Sequence, residues 1–389
     1  MVSRKHPVKG ITWLAVGICG LVLVGGLFTP VQATHIGCGA ILGPGGHFVL
    51  DSDVGPCPGP DPAITVGAAT LDMATFKVSC VPSVSAGTGI FLQGPKAVVK
   101  NGEVTNCSTG FESHGGKNTL TGNRAHNNQA LGFLVNDNHN TLIHNSADNN
   151  FFAGFAIAGD INTLAHNLAD HNGDGFLIQG SGNKLQIDNI ATNNSGSGFD
   201  ITAGNNNKLI HSSANSNGVD GFVIDSGSEI NTLAHNLANG NLDDGFRIES
   251  SNNILQMNIA IENIAFGFDI LGESNKLTGN HANDNAVGFE IAGNNNAHVK
   301  GNIASHNLAD AFSIDGDGNT LTGNIAGGKV KVTDANVGNG FEVKGNGNTL
   351  KGHNKALNNI DEGFNIRGND NHLTGNTASG KRRWLRYPR

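Results

Sequence analysis

The chain repeats itself about every 22 residues, and few folds tolerate that period. Aligned on the pattern N-x-L, successive units begin at Asn118, Asn140, Asn162, Asn183, Asn207, Asn231, Asn253, Asn275, Asn296, Asn319, Asn348 and Asn371. The steps run from 21 to 24 residues, with a single step of 29 between Asn319 and Asn348. Each unit reads approximately N-x-L-x-x-N-x-A-x-x-N, then a few polar residues, then G-F-x-I. The phrase "NTLAHNLA" stands at 162–169 and again at 231–238, so three units have been copied together.

Each unit holds three apolar pieces bounded by Gly, Asn, Asp or Ser. They are too short for helices and suit strands of two to four residues. Three short strands per 22 residues make one coil of a parallel β-helix, with equivalent residues about 4.8 Å apart from coil to coil. The Phe of each G-F-x-I then forms one interior column, the following Ile or Val a second, and the Ala a third that faces the large Phe column. The Asn two residues before the Ala recurs in eleven of twelve units, with Ser212 as the exception. Asn tolerates left-handed backbone at a corner, and its amide can bond the copy above and below. The expected fold is all-β: a parallel β-helix solenoid of about 12 regular coils, with irregular coils and a cap before them.

The stretches "GFLIQGSGNKLQIDNIATNN", "GFDILGESNKLTGNHANDN" and "GIFLQGPKAVVKNGEVTNCSTGF" resemble the right-handed parallel β-helix superfamily of pectate lyases, polygalacturonases and NosD-like periplasmic proteins. The resemblance covers about residues 61–378. It implies right-handed coiling, in agreement with the general crossover rule, and a carbohydrate-active role. It does not single out an activity.

The ends differ from the body. Arg4, Lys5 and Lys9 precede an apolar run from Ile11 to Phe28 and then "TPVQA", which reads as a signal peptide over 1–33. Residues 34–60 are expected to form a disulfide-tied cap, 61–378 the β-helix, and 379–389 a basic tail, "KRRWLRYPR" being its last nine residues. Outside the leader four cysteines remain, Cys38, Cys57, Cys80 and Cys107. An even number in an exported chain favours two disulfides; three pairings exist, and sequence neighbours suggest Cys38–Cys57 with Cys80–Cys107. The expected location is secreted or periplasmic, with no membrane association after leader cleavage and a monomeric state.

All 32 Asp and Glu lie between Asp51 and Asp370. Of 24 Lys and Arg, three lie in the leader and five in the tail, leaving 16 in the body. So acidic a body excludes nucleic acid as a partner. A polyanionic glycan would need a cation such as calcium to mediate.

Two sets of residues carry candidate chemistry. The slot before the ladder Asn reads His144, His166, Asp188, His211, His235, Met257 over six consecutive coils. Its mix with Gly in other coils places it at a bend rather than in the core. Asp188 between His166 and His211 could orient an imidazole for proton transfer. His and Asp are proper metal ligands, and soft Met257 extends the row toward copper. The competing explanation is a plain polar ladder copied with its coils. The second set points outward around the Phe–Ile strand: Asp200, Asp220, Asp244, Arg247, Asp269 and Glu290, with Asp174, Asp225 and Glu249 beside them. Paired carboxylates are what glycoside hydrolysis needs. "NLDDGFRIES" partly matches polygalacturonases, lacking their G-H-G and "RIK". Asp220, Asp244 and Arg247 are the catalytic candidates here, and Asp200, Asp269 and Glu290 the substrate-binding ones. Solvated surface explains the same strip.

The reading that leans on the resemblance is a polysaccharide lyase or hydrolase working on the side of the solenoid. The alternatives are a non-catalytic structural or surface-interaction solenoid and, third, NosD-like metal handling. Outside the leader only Trp384 and Tyr387 could stack on sugars, and both lie in the tail.

Overall fold

The computed structural model describes residues 35–82, 86–328 and 335–380. The proposed leader and the tail beyond Gly380 lie outside the described residues. Every regular element within them is a strand, from Ala40–Leu42 to Thr377–Ser379. The strands form three parallel sheets of 15, each strand pairing with the one three places on in sequence. One sheet carries the Phe–Ile strands, one the Leu strands and one the Ala strands. The twelve repeating coils are thus preceded by three more. Strands at 40–42, 47–49 and 54–57, within the segment expected to be a cap, already enter the three sheets.

Register follows the repeat. Phe133 pairs with Phe155, Leu142 with Leu164 and Ala147 with Ala169. Twelve phenylalanines, Phe111 to Phe364, stack with ring centroids 4.7–4.9 Å apart and nearly parallel planes. The residue that faces the Ala column is the Gly before the Phe, present in eleven of the twelve coils, with Ala311 the exception. A Cβ at Gly221 would lie 2.6 Å from the carbonyl oxygen of Gly245 and 2.8 Å from the Cβ of Ala238. The G-F pair therefore gives each coil a point of closest approach beside its bulkiest filler.

Each coil turns three corners built alike: a residue with positive φ followed by a buried Asn. Lys117 (φ 66), His144 (φ 56) and Asn149 (φ 54) precede Asn118, Asn145 and Asn150. The left-handed corner opens the backbone ladder, and the next coil's Asn side chain closes it. The amide of Asn145 donates to Oδ1 of Asn167 (3.0 Å), and Asn145 Nδ2 donates to that Oδ1 (3.1 Å) and to the carbonyl of Leu120 (2.9 Å). A parallel set runs through Asn128, Asn150, Asn172 and Asn194. Three Asn ladders therefore run through the repeating coils, where the repeat alone suggested one. In the ladders after the Leu and Ala strands, buried amides satisfied this way avoid a cost of about 1–3 kcal/mol each, whereas Nδ2 of Asn162, Asn183, Asn207, Asn319 and Asn348, before the Leu strand, has no partner among the described residues.

Cys38–Cys57 and Cys80–Cys107 are bonded. Cys57 and Cys80 are in register on the Ala sheet. The two bridges thus tie the first coils where the Ala column has not yet begun.

Candidate functional site

The outward face of the Phe sheet carries three columns of side chains. In the middle column, between Phe and Ile or Val, Asp200, Val223, Arg247, Asp269 and Glu290 follow one another in register. In the column before the Gly stand Asp174, Ser197, Asp220 and Asp244, and in the column after the Ile stand Asp225 and Glu249. All six sequence candidates of this set share the one face.

The carboxylates are much less exposed than solvated surface would be. Asp220 is 2% exposed, Asp244 3% and Asp269 7%. For the column before the Gly the reason is structural. Asp220 Oδ1 accepts the backbone amide of Asp244 (2.8 Å), and Asp244 Oδ1 accepts that of Phe266 (2.8 Å). Asp174 does the same for Ser197 at 2.9 Å. One oxygen of each is thereby held against the rod, and the other is left for other work.

Crowding these acids together holds protons on them. Burial, reinforced by Asp220 and Asp269, pushes Asp244 up to about 8, although the Phe266 amide opposes it. Burial with Asp225 and Asp174 raises Asp200 to about 7. Burial with Asp315 raises Glu290 to about 7. Asp220 and Asp269 rise only to about 6: burial raises both, Arg247 draws both back, and the Asp244 amide also lowers Asp220. Arg247 donates from one terminal nitrogen to Glu249 at 2.7 Å. Its buried Nε has no partner among the described residues, and neither has buried Oδ1 of Asp200. Asp200 and Arg247 are separated by Val223 alone in their column. Polar atoms so placed normally have a partner.

Asp220, Asp243 and Asp244 bring oxygens within 4.8 Å of one another. Among the described residues this is the one cluster of His, Cys, Asp or Glu so close.

The histidine row sits elsewhere, at the corner between the Leu and Ala strands. Every member has positive φ: 56° at His144, 55° at His166, 53° at Asp188, 54° at His211, 56° at His235 and 52° at Met257. His166 is half-buried and the others are exposed. His144 stacks on His166 with centroids 4.7 Å apart, and His211 on His235 at 4.9 Å. Asp188 lies 3.8 Å from Nδ1 of His166. Its backbone amide donates to the carbonyl of His211, with no side-chain link to that residue. Gly, Asn, Asp and His are the types this backbone admits most readily, so the recurrence of His has a structural cause.

The repeat does not point to Asp310. Its coil reads "DAF" where others read "DGF", with buried Ala311 in the glycine slot. Asp310 accepts the amide of Asn339 at 2.5 Å. Burial and nearby Glu342 raise its pKa to about 6. Glu342 is in turn paired with Arg367 (3.1 Å) and Lys344 (3.5 Å), which give the far end of the face its positive charge.

Residues 67–189 and 162–304 match the family described as the right-handed beta helix region. The chain belongs to that family. Among solved structures it is similar to the A-module of the mannuronan C-5 epimerase AlgE4 of Azotobacter vinelandii. That likeness has 13% identity and a TM-score of 0.37, and covers 90% of each chain. The periplasmic alginate epimerase AlgG is similar at 12% identity and a TM-score of 0.36, over 87% of this chain and 79% of that one. Pectate lyase Pel9A is similar at 19% identity and a TM-score of 0.32, over 76% and 70%. At these levels the similarity is one of fold. No curated protein matches the sequence.

Proposed function

We propose that this β-helix protein is an exported polysaccharide-cleaving enzyme whose site is the acidic face around Arg247. The observation that carries the reading is the split among neighbouring carboxyls. Asp244, held near 8, stays protonated at neutral pH, while Asp220 and Asp269, near 6, are ionised. Acid and base roles are assigned where environment pushes neighbouring carboxyls apart. Asp244 is the proton donor to the leaving glycosidic oxygen. Asp220 or Asp269 is the ionised partner that takes a proton from water or from the sugar. Arg247 pairs with a sugar carboxylate or hydroxyl through its terminal nitrogens, one of which Glu249 already orients. The two disulfides suit an oxidising compartment and support export.

The hard oxygen donors of Asp220, Asp243 and Asp244 fit a divalent ion such as calcium, with one oxygen each of Asp220 and Asp244 already committed to a backbone amide. A cation held there would ionise Asp244, so the acid role belongs to the calcium-free face, and calcium should lower the rate of cleavage.

The test is a screen of uronic-acid polysaccharides with and without calcium, following unsaturated products and reducing ends. Asp244→Asn and Arg247→Ala should each lower kcat/KM by roughly 100-fold or more. His166→Ala and His211→Ala should leave it within about twofold, since their row lies on another corner. Wild-type silence on both readouts sinks the proposal.

A second reading is a non-catalytic solenoid. It is favoured by the structural bonds that Asp174, Asp220 and Asp244 make. It predicts that screen to be blank.

A further inference from the structure

The third corner of each coil, after the Ala strand, is followed by a residue that points away from the rod. Over the C-terminal half of the solenoid this position is apolar: Leu242, Ile264, Leu308, Val337 and Ile360 are between 47% and 71% exposed, and small, half-buried Ala286 interrupts them once. The column is held in register by the Asn ladder. The amides of Ile264, Leu308, Val337 and Ile360 donate to the carbonyls of Asn241, Asn285, Asn307 and Asn336 in the preceding coils. An apolar stripe about 24 Å long therefore runs along one edge, five coil steps at the normal strand spacing. Water-facing Leu and Ile at a repeated position are not needed for the fold, because the coil at Asn194 carries Ser195 there. Contiguous stripes of this kind mark contacts.

The stripe borders the acidic face. Asp243 and Asp361 directly follow Leu242 and Ile360, and Asp310 and Glu362 stand one position further on. An occupant must then be apolar and basic together. One segment of this chain has that chemistry and starts in the right place. "KRRWLRYPR" holds five basic residues with Trp384, Leu385 and Tyr387. Ser379 is in register with Leu357, three residues before Ile360, so the next stripe position falls on Arg382, two residues past Gly380. Nine extended residues reach about 30 Å, enough to follow the stripe back toward Leu242.

We propose that residues 381–389 dock on this stripe of their own chain, with Trp384 and Leu385 on Leu308, Val337 and Ile360 and the arginines against Asp310, Asp361 and Glu362. The segment then forms a rim along the edge of the acidic face. The proposal holds whether or not the face is catalytic.

Trp384 supplies the readout. In the full chain carrying Trp13→Phe it is the sole tryptophan. The parent should show blue-shifted emission and loss of acrylamide quenching relative to the free peptide 381–389, unchanged on dilution. Leu308→Ser with Ile360→Ser removes two of the apolar contacts and should return Trp384 to the free-peptide values. Arg382→Glu with Arg383→Glu should do the same while leaving every described residue intact. Three results overturn the proposal: a parent indistinguishable from the free peptide, shielding that disappears on dilution, as for a second copy, or shielding that survives the stripe variants.

Discussion

At the scale of single residues, the corners explain what each side chain is for. A positive φ selects Gly, Asn, Asp and His, and the following Asn must be buried to bond its copies. One substitution in the ladder after the Leu strand tests this account. Ser212 replaces a ladder Asn, and its Oγ is buried without a partner. Asn189 in the coil before it lacks the side-chain acceptor that Asn167 has in Asn189. Ser212→Asn should fill the gap and raise stability by about 1 kcal/mol, read from a denaturation midpoint shifted upward with an unchanged slope. Asp244 supplies a second prediction. Its folded pKa is raised to about 8 from 3.8, so the stability it contributes is complete below about pH 4 and is lost as pH rises through 8. Asp244→Asn keeps the acceptor for Phe266 and removes the charge. Melting curves should show no gain near pH 4 and a gain of roughly 3 kcal/mol near pH 8, after discounting the full linkage value for water access. A variant as pH-sensitive as the wild type would contradict the assignment.

At the scale of the strand and its sheet, Gly-Phe is the unit that sets the width of the coil. Gly221→Ala would drive a Cβ to 2.6 Å from a backbone oxygen, which cannot yield as a flexible side chain can. A loss of about 2–3 kcal/mol is expected in urea titrations, comparable with overpacking elsewhere. Phe222→Ala, in the middle of the ring stack, should cost about 3–5 kcal/mol by leaving a cavity between Phe199 and Phe246. These columns were legible because the repeat writes the same residue into every coil, and stacking in register follows from equal steps. The burial of the acids was not legible. Period two correctly turns Asp200, Asp269 and Glu290 outward. It says nothing of how far a side chain sinks among neighbours one coil above and below. Nor does it show Asp220 bending back onto the amide of Asp244. Asp310 was hidden because Ala311 broke the "DGF" pattern. The histidine row was placed at its corner by its composition, and the stacking of its rings in pairs required coordinates.

At the scale of the whole molecule, a solenoid spreads its chemistry along a face instead of enclosing it in a pocket. Charge varies along that face: Asp200, Asp220, Asp244 and Asp269 crowd around one Arg247, whereas Glu342 is neutralised by Lys344 and Arg367. The wild-type rod should therefore lose thermal stability as pH rises from about 4 to 8, because Asp200, Asp244 and Glu290 all have raised folded values. The central claim is that this face moves protons on a glycan. The most direct measurement is the initial rate of polysaccharide cleavage from about pH 5 to 9 for the wild type and Asp244→Asn. The account predicts a bell whose limbs fall near 6 and 8, with the rate of Asp244→Asn lowered at least about 100-fold and its alkaline limb gone. No cleavage at any pH, or an Asp244→Asn profile that overlays the wild type, would contradict it.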